Sequence, residues 1–200
     1  EEYQSKEIAL TIFDETHRLA APSFSKLATI NTQYRLGLSA TPYREDGNMK
    51  YVFALTGHPV GLNWDELVEH GFVSYPDTKV LLFRTERQKL NHLSSLTSEP
   101  GKQIIFCDSL QKGKTLESKL DVPFISGESN NRLEVFESER VVISSRVGDE
   151  GVSLPDIDRV IEFDFHGASR RQELQRAGRV MHGDTEDGEH IIMMTDEEYD

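Results

Sequence analysis

Two stretches carry side chains able to do chemistry, one near each end of the chain. The run Leu10-Thr11-Ile12-Phe13 closes on Asp14-Glu15-Thr16-His17. An apolar run ending in two carboxylates fits a buried strand that delivers them to the carboxyl edge of a parallel sheet, where α/β folds bind ligands and where a Mg²⁺-nucleotide could sit. Near the other end, Arg170, Arg171, Arg176 and Arg179 cluster. The planar fork of a guanidinium gives phosphate paired, charge-assisted hydrogen bonds. On a helical wheel Gln172, Gln175, Arg176 and Arg179 gather on one side, with Leu174, Ala177 and Met181 opposite. Read alone, this is an ordinary solvated helix; read with Asp14-Glu15, it becomes the second half of a nucleotide-hydrolysing cleft.

Other chemistries find less support. No glycine-rich phosphate loop precedes Asp14, which predicts an incomplete ATP site in these residues. Gly113-Lys114-Thr115 imitates the end of such a loop, but Asp108 stands five positions before Gly113, where the pattern requires glycine, so a helix and loop are expected there. The histidines are scattered, with neither a cysteine partner nearby nor a His-Glu-x-x-His helix, which argues against zinc. No Gly-x-Ser-x-Gly elbow points to a serine hydrolase. Cys107 ends an apolar run and reads as a small core residue.

Placing these residues requires alternating elements. Strands are expected at Leu10–Asp14 and Arg35–Leu38, with a helical stretch from Pro22 to Ile30 between them. A connector rich in Gly and Pro, holding one short helix around Trp64 to His70, leads into a regular alternation. Its strands are Lys79–Phe83, Gln103–Cys107, Pro123–Ile125, Arg140–Ser144, Arg159–Phe163 and Glu189–Met193. Its helices are Glu86–Leu96, Leu110–Leu120, Asn131–Phe136 and Ser169–Met181. Such alternation predicts an α/β fold of parallel strands with crossover helices.

Composition sets the class and limits the partners. The chain has 200 residues, 36% hydrophobic and 28% charged, enough for at least one ordinary core. With one cysteine and no long apolar stretch or leader, a reducing cytoplasmic setting and no membrane association are expected. A net charge of −13 argues against broad attraction to a polyanion, so any nucleic-acid contact must be local. The acidic last stretch, from Asp184 to Asp200, reads as a solvated face or as a partner-binding tail.

The order of motifs resembles a known family. Asp14-Glu15-Thr16-His17, then Ser39-Ala40-Thr41, then Ser145 to Pro155, then Gln175-Arg176-Ala177-Gly178-Arg179 resemble motifs II, III, V and VI of superfamily 2 helicases of the DExH kind. Arg44-Glu45-Asp46 after the third motif, and His166 to Glu173 leading into the sixth, look like the XPB branch. The resemblance implies RecA-like domains: the later part of a first motor domain at 1–56, a connector at 57–78 and a second motor domain at 79–200. It implies an ATP-dependent DNA helicase or translocase of repair or transcription, hydrolysing ATP with Mg²⁺ at the cleft between the two domains. The alternative is a non-catalytic helicase-fold module that binds a protein partner or nucleic acid.

The resemblance also assigns roles. Asp14 would hold Mg²⁺, with Glu15 beside it, and Glu15 would activate the attacking water. His17, with Ser39, Ala40 and Thr41, would link nucleotide state to nucleic-acid grip. Arg179 would be the arginine finger, supported by Gln175 and Arg176, while Asp149 and Gly151 approach the nucleotide. Arg44, Glu45, Asp46, Ser126, Asn130, Arg132 and Ser145 would meet duplex or forked DNA without reading sequence. A monomeric motor is implied, with a repair nuclease or transcription factor as partner, in the cytoplasm, on the nucleoid of a prokaryote or in a eukaryotic nucleus. His182 stands where the family pattern ends in another Arg, which predicts slower or pH-tuned hydrolysis.

Overall fold

The computed structural model describes residues 7–21, 24–39, 47–145, 157–164, 176–180 and 188–199. The chain divides into two units, Glu1–Leu62 and Asn63–Asp200.

In the first unit, β1 (Ile8–Phe13) pairs in parallel with β2 (Thr32–Gly37), Ile8 opposite Thr32 and Phe13 opposite Gly37. Between them the structure forms 3-10 turns at Thr16–Ala20 and at Ser25–Thr29, the second inside the stretch expected to be helical. Hydroxyl side chains compete for backbone carbonyls here; Thr29 Oγ1 donates to Lys26 O at 2.7 Å. Helix α1 (Met49–Thr56), absent from the sequence reading, packs Val52 inward and ends at Gly57, whose φ of 85° a side chain would resist.

The second unit begins with α2 (Trp64–Glu69), started by a reciprocal capping box between Asn63 and Glu66. The elements β3 (Asp77–Phe83), α3 (Glu86–Thr97), β4 (Gln103–Phe106), α4 (Leu110–Leu120) and β5 (Phe124–Ile125) follow. After them come α5 (Arg132–Ser138), β6 (Val141–Ser144), β7 (Arg159–Glu162), β8 (Glu189–Thr195) and α6 (Asp196–Tyr199). The strands form one parallel sheet in the order β3-β8-β7-β4-β6-β5. This is the α/β arrangement the alternation predicts.

Period-two patterning explains why the sheet is covered on both faces. Ile105, Cys107, Ile143, Ile161 and Met193 join Leu93, Leu96 and Leu116 in one core. Ile104, Phe106, Val142 and Val160 join Ile125, Phe136 and Val180 in the other. Thr85 and Ser109 cap the starts of α3 and α4 by accepting from Gln88 N and Lys112 N. Gly113-Lys114-Thr115 lies inside α4, where a Cβ on Gly113 would come within 2.3 Å of the Phe124 ring; the glycine serves close packing. Among the described residues no helix is long and apolar enough to cross a membrane.

Candidate functional site

In the first unit, β1 carries Asp14 and Glu15 just past its carboxyl end. Glu15 adopts the left-handed conformation, φ 48° and ψ 50°, and its N–H donates to Asp14 Oδ1 at 2.9 Å. A non-glycine residue held there is sterically costly and persists only where neighbours enforce it. The enforcing contacts are visible: Thr16 N donates to Leu38 O at 2.9 Å, and Leu38 N to Phe13 O at 2.8 Å. Gly37 permits this approach, since a Cβ there would lie 2.6 Å from Thr16 Oγ1.

The turn buries His17 completely and leaves Asp14 exposed. His17 Nδ1 lies 3.1 Å from Ser39 Oγ and 3.2 Å from Glu15 Oε2. Glu15, His17 and Ser39 are therefore brought into one contact set, although 22 positions separate His17 from Ser39. Adjacent carboxylates, one of them exposed, fit Mg²⁺, a hard cation that keeps several waters and takes one or two protein carboxylates. Among the described residues no cluster of three or more His, Cys, Asp or Glu side chains forms a fuller metal cage.

In the second unit, Arg176 and Ala177 are helical and lead into the 3-10 segment Gly178–Val180. The helical wheel puts Arg176 on the donor face, but the structure buries it fully and turns its donors inward. Nη1 donates to Glu162 Oε2 at 2.8 Å and Nη2 to Asp108 Oδ1 at 3.0 Å, with the guanidinium 4.7 Å from the centre of the Phe106 ring. The second oxygen of Glu162 faces His190 Nε2 at 2.8 Å. Arg179 is half-buried three residues on. The sequence reading missed Glu162, His190 and Asp108; the available signal was a carboxylate interrupting the apolar run from Val160 to Phe163.

A second charged cluster lies near the carboxyl ends of β7 and β8. Buried Lys89 donates to Glu198 Oε2 at 2.7 Å and lies 4.6 Å from the Phe163 ring centre, while Lys112 pairs with buried Asp164. Cys107 is fully buried, and desolvation with nearby Asp164 pushes its thiol up to about 12, which leaves no thiolate at neutral pH.

Of the expected nucleic-acid residues, Ser126, Asn130, Arg132 and Ser145 fall beyond the carboxyl ends of β5 and β6. Ser145 N donates to Ile125 O at 2.9 Å, which sets the two strand ends side by side. Arg132 folds back on its own loop, donating to Ser129 O and Gly127 O at 2.9 Å each, and Ser126 N donates to Ser129 Oγ at 3.0 Å. The guanidinium thus shapes the loop that carries exposed Asn130. Ala40, Thr41, Arg44, Glu45, Asp46, Asp149, Gly151, Gln175 and His182 lie outside the described residues.

Comparison with known proteins adds a family. The profile of the ERCC3/RAD25/XPB C-terminal helicase family matches residues 76–193, and that of the type III restriction enzyme res subunit matches residues 1–44. A putative DNA 3'-5' helicase Rad25 of Haloarcula marismortui is 32% identical over 211 residues, covering 90% of this chain and 34% of that protein. A DNA 3'-5' helicase XPB of Kineococcus radiotolerans is 28% identical over 216 residues, covering 90% of this chain and 38% of that one. The chain thus spans roughly a third of the length of the curated relatives it matches. Among solved structures, Saccharomyces cerevisiae Dbp5 bound to RNA and ADP BeF3 aligns with a TM-score of 0.68 at 18% identity, covering 94% of this chain and 53% of that one. Mycobacterium smegmatis helicase Lhr bound to ssDNA and AMP-PNP aligns at 0.67 with 18% identity, covering 93% and 28%. At such identities the structural likeness establishes the RecA-like fold alone.

Proposed function

The chain belongs to the ERCC3/RAD25/XPB C-terminal helicase family, and on that premise we propose that it is motor sequence of an ATP-dependent DNA helicase or translocase acting in repair or transcription. The observation that carries the reading is the contact set at the end of β1, where Glu15, His17 and Ser39 meet beside exposed Asp14. A strand end bearing an exposed and a half-buried carboxylate, with a histidine reporting to the next strand, is suited to nucleotide hydrolysis that a second event can sense.

Asp14 would hold Mg²⁺ with Glu15 beside it, and the ion when bound would neutralise phosphate charge. Glu15 orients the attacking water and takes its proton; the left-handed backbone at Glu15 sets the direction of that carboxylate. Arg179 stabilises charge developing on the transferred phosphoryl group, with Arg176 holding the turn from below. His17 Nδ1 hydrogen-bonds Ser39 and lies beside the Glu15 carboxylate, so a change of charge at that carboxylate would reach the segment after β2. Ser126, Asn130, Arg132 and Ser145, with Arg44, Glu45 and Asp46, meet duplex or forked DNA through its backbone. A net charge of −13 confines that contact to such loops. The partner is a repair nuclease or transcription factor, and the motor works as a monomer.

The test is ATP turnover by the gene product carrying these residues, with and without duplex DNA. Glu15→Gln is expected to lower turnover by about 10²–10⁴ while ATP binding is kept, the range for loss of a general base. DNA-stimulated hydrolysis that survives Glu15→Gln overturns the reading.

A further inference from the structure

We infer that Glu162 is a positioning residue for the arginine finger, acting on Arg179 through Arg176; this rests on the helicase reading above. Glu162 ends β7, beside the centre of the sheet, and is fully buried. A carboxylate there is costly unless paired, and both of its oxygens are engaged: Oε2 accepts from Arg176 Nη1 at 2.8 Å and Oε1 faces His190 Nε2 at 2.8 Å. Arg176 spends its other arm on Asp108 at 3.0 Å and lays its plane against Phe106. Glu162 of β7, Asp108 after β4 and Phe106 of β4 thus meet at one guanidinium, and His190 of β8 joins them through the Glu162 carboxylate.

The consequence falls on the three residues that follow. Arg176 and Val180 are both fully buried and flank Arg179 on either side. Gly188 backs Val180 so closely that a Cβ on it would come within 2.4 Å of Val180 O. Arg179 lies between these two buried residues, which together set the course of its backbone. Preorganising a donor in this way lowers the reorganisation needed as charge develops. Stability alone is a weak reason for the cluster, since buried ion pairs are often replaceable by apolar side chains without loss. Orientation is the better account, and it identifies His190 as the group that fixes the rotation of the Glu162 carboxylate.

The experiment is single-turnover ATP hydrolysis by the full DNA-bound protein in a double-mutant cycle. Glu162→Gln keeps the shape but removes the charge; it is expected to lower the hydrolysis rate about tenfold to a hundredfold, with ATP affinity within about twofold. Because Glu162 acts through Arg179, adding Glu162→Gln to Arg179→Ala is expected to cost nothing further. Asp108→Asn, at the edge of the same cluster, carries the same test should Glu162→Gln fail to fold. If Arg179→Ala collapses hydrolysis and the second substitution multiplies the loss, the cluster is merely structural and this inference is overturned alone. If Arg179→Ala leaves hydrolysis intact, the arginine assignment of the helicase reading falls, and this inference with it.

Discussion

His17 Nδ1 has two partners, Ser39 Oγ at 3.1 Å and Glu15 Oε2 at 3.2 Å, and a single ring nitrogen cannot hold both at full strength. Any shift of the Glu15 carboxylate toward water or metal therefore changes the hydrogen bond at Ser39. Ser39→Ala is expected to cut the DNA-stimulated rate about threefold to tenfold, the scale of one net hydrogen bond of ~1 kcal/mol. The DNA-free rate should fall less; an equal fall in both, measured side by side, would show that Ser39 transmits nothing. Asp14, Glu15, His17 and Ser39 drew notice in the sequence as short local patterns, and the structure brings the last three into contact. The burial of Arg176 was not legible there. A helical wheel knows only its own helix, whereas the carboxylates that draw Arg176 inward sit 14 and 68 positions away. Glu162 and His190, 28 positions apart, are paired only once β7 and β8 lie side by side.

Elements meet in this fold through glycine contacts as much as through apolar faces. Gly188, just before β8, lies against Val180 so closely that an added Cβ would sit 2.4 Å from the Val180 carbonyl oxygen and 2.8 Å from its Cβ. Backbone cannot yield as a side-chain tip can. Gly188→Ala is accordingly expected to destabilise by about 1–3 kcal/mol, as overpacking does, read as a lowered Tm, and to slow hydrolysis by moving the turn that carries Arg179. An unchanged Tm would mean that the β8 approach is looser than this contact. The parallel alternation was legible because β4 and β6 are short apolar runs with the polar helices α4 and α5 between them. Helix α1 was not, since Tyr51-Val52-Phe53 favours strand by propensity and only packing beside the Thr16–Ala20 turn makes it helical. The 3-10 turns at 16–20 and 25–29 escaped for a related reason: periodicity cannot tell a tight turn from a short helix.

At the scale of the molecule, acidic residues outnumber basic ones 35 to 22, yet in the second unit two glutamates serve as structural anchors. Near the amino end of β8, Glu189 accepts from Lys79 at 2.6 Å and from Arg159 at 2.6 Å; beyond its carboxyl end, Glu198 accepts from Lys89 at 2.7 Å and from Thr195 N at 2.8 Å. The hydrogen bond from Lys79, and then that from Arg159, hold Glu189 below its ordinary value of 4.5. Burial pulls Glu198 upward, but Lys89 and the Thr195 N–H outweigh it, and Glu198 also ends low. Depressed folded values mean that these carboxylates bind protons more readily when unfolded. Their stabilisation is complete above about 4.5 and is lost as pH falls through the folded values. The lysines act in the opposite sense: Lys79 and Lys112 are raised above 10.5, so their share is full below that value and leaves neutral pH untouched. Chemical denaturation between about pH 3 and 7 should therefore show stability declining on the acid side. Glu198→Ala should flatten that decline and cost about 2 kcal/mol near neutrality, less than the ~3–5 for a wholly buried pair because Glu198 keeps some contact with water. Much of that cost comes from leaving Lys89 buried without its carboxylate, so Lys89→Met added to Glu198→Ala should recover most of it. Parallel acid limbs for the original chain and Glu198→Ala would show that α6 is not anchored through this pair.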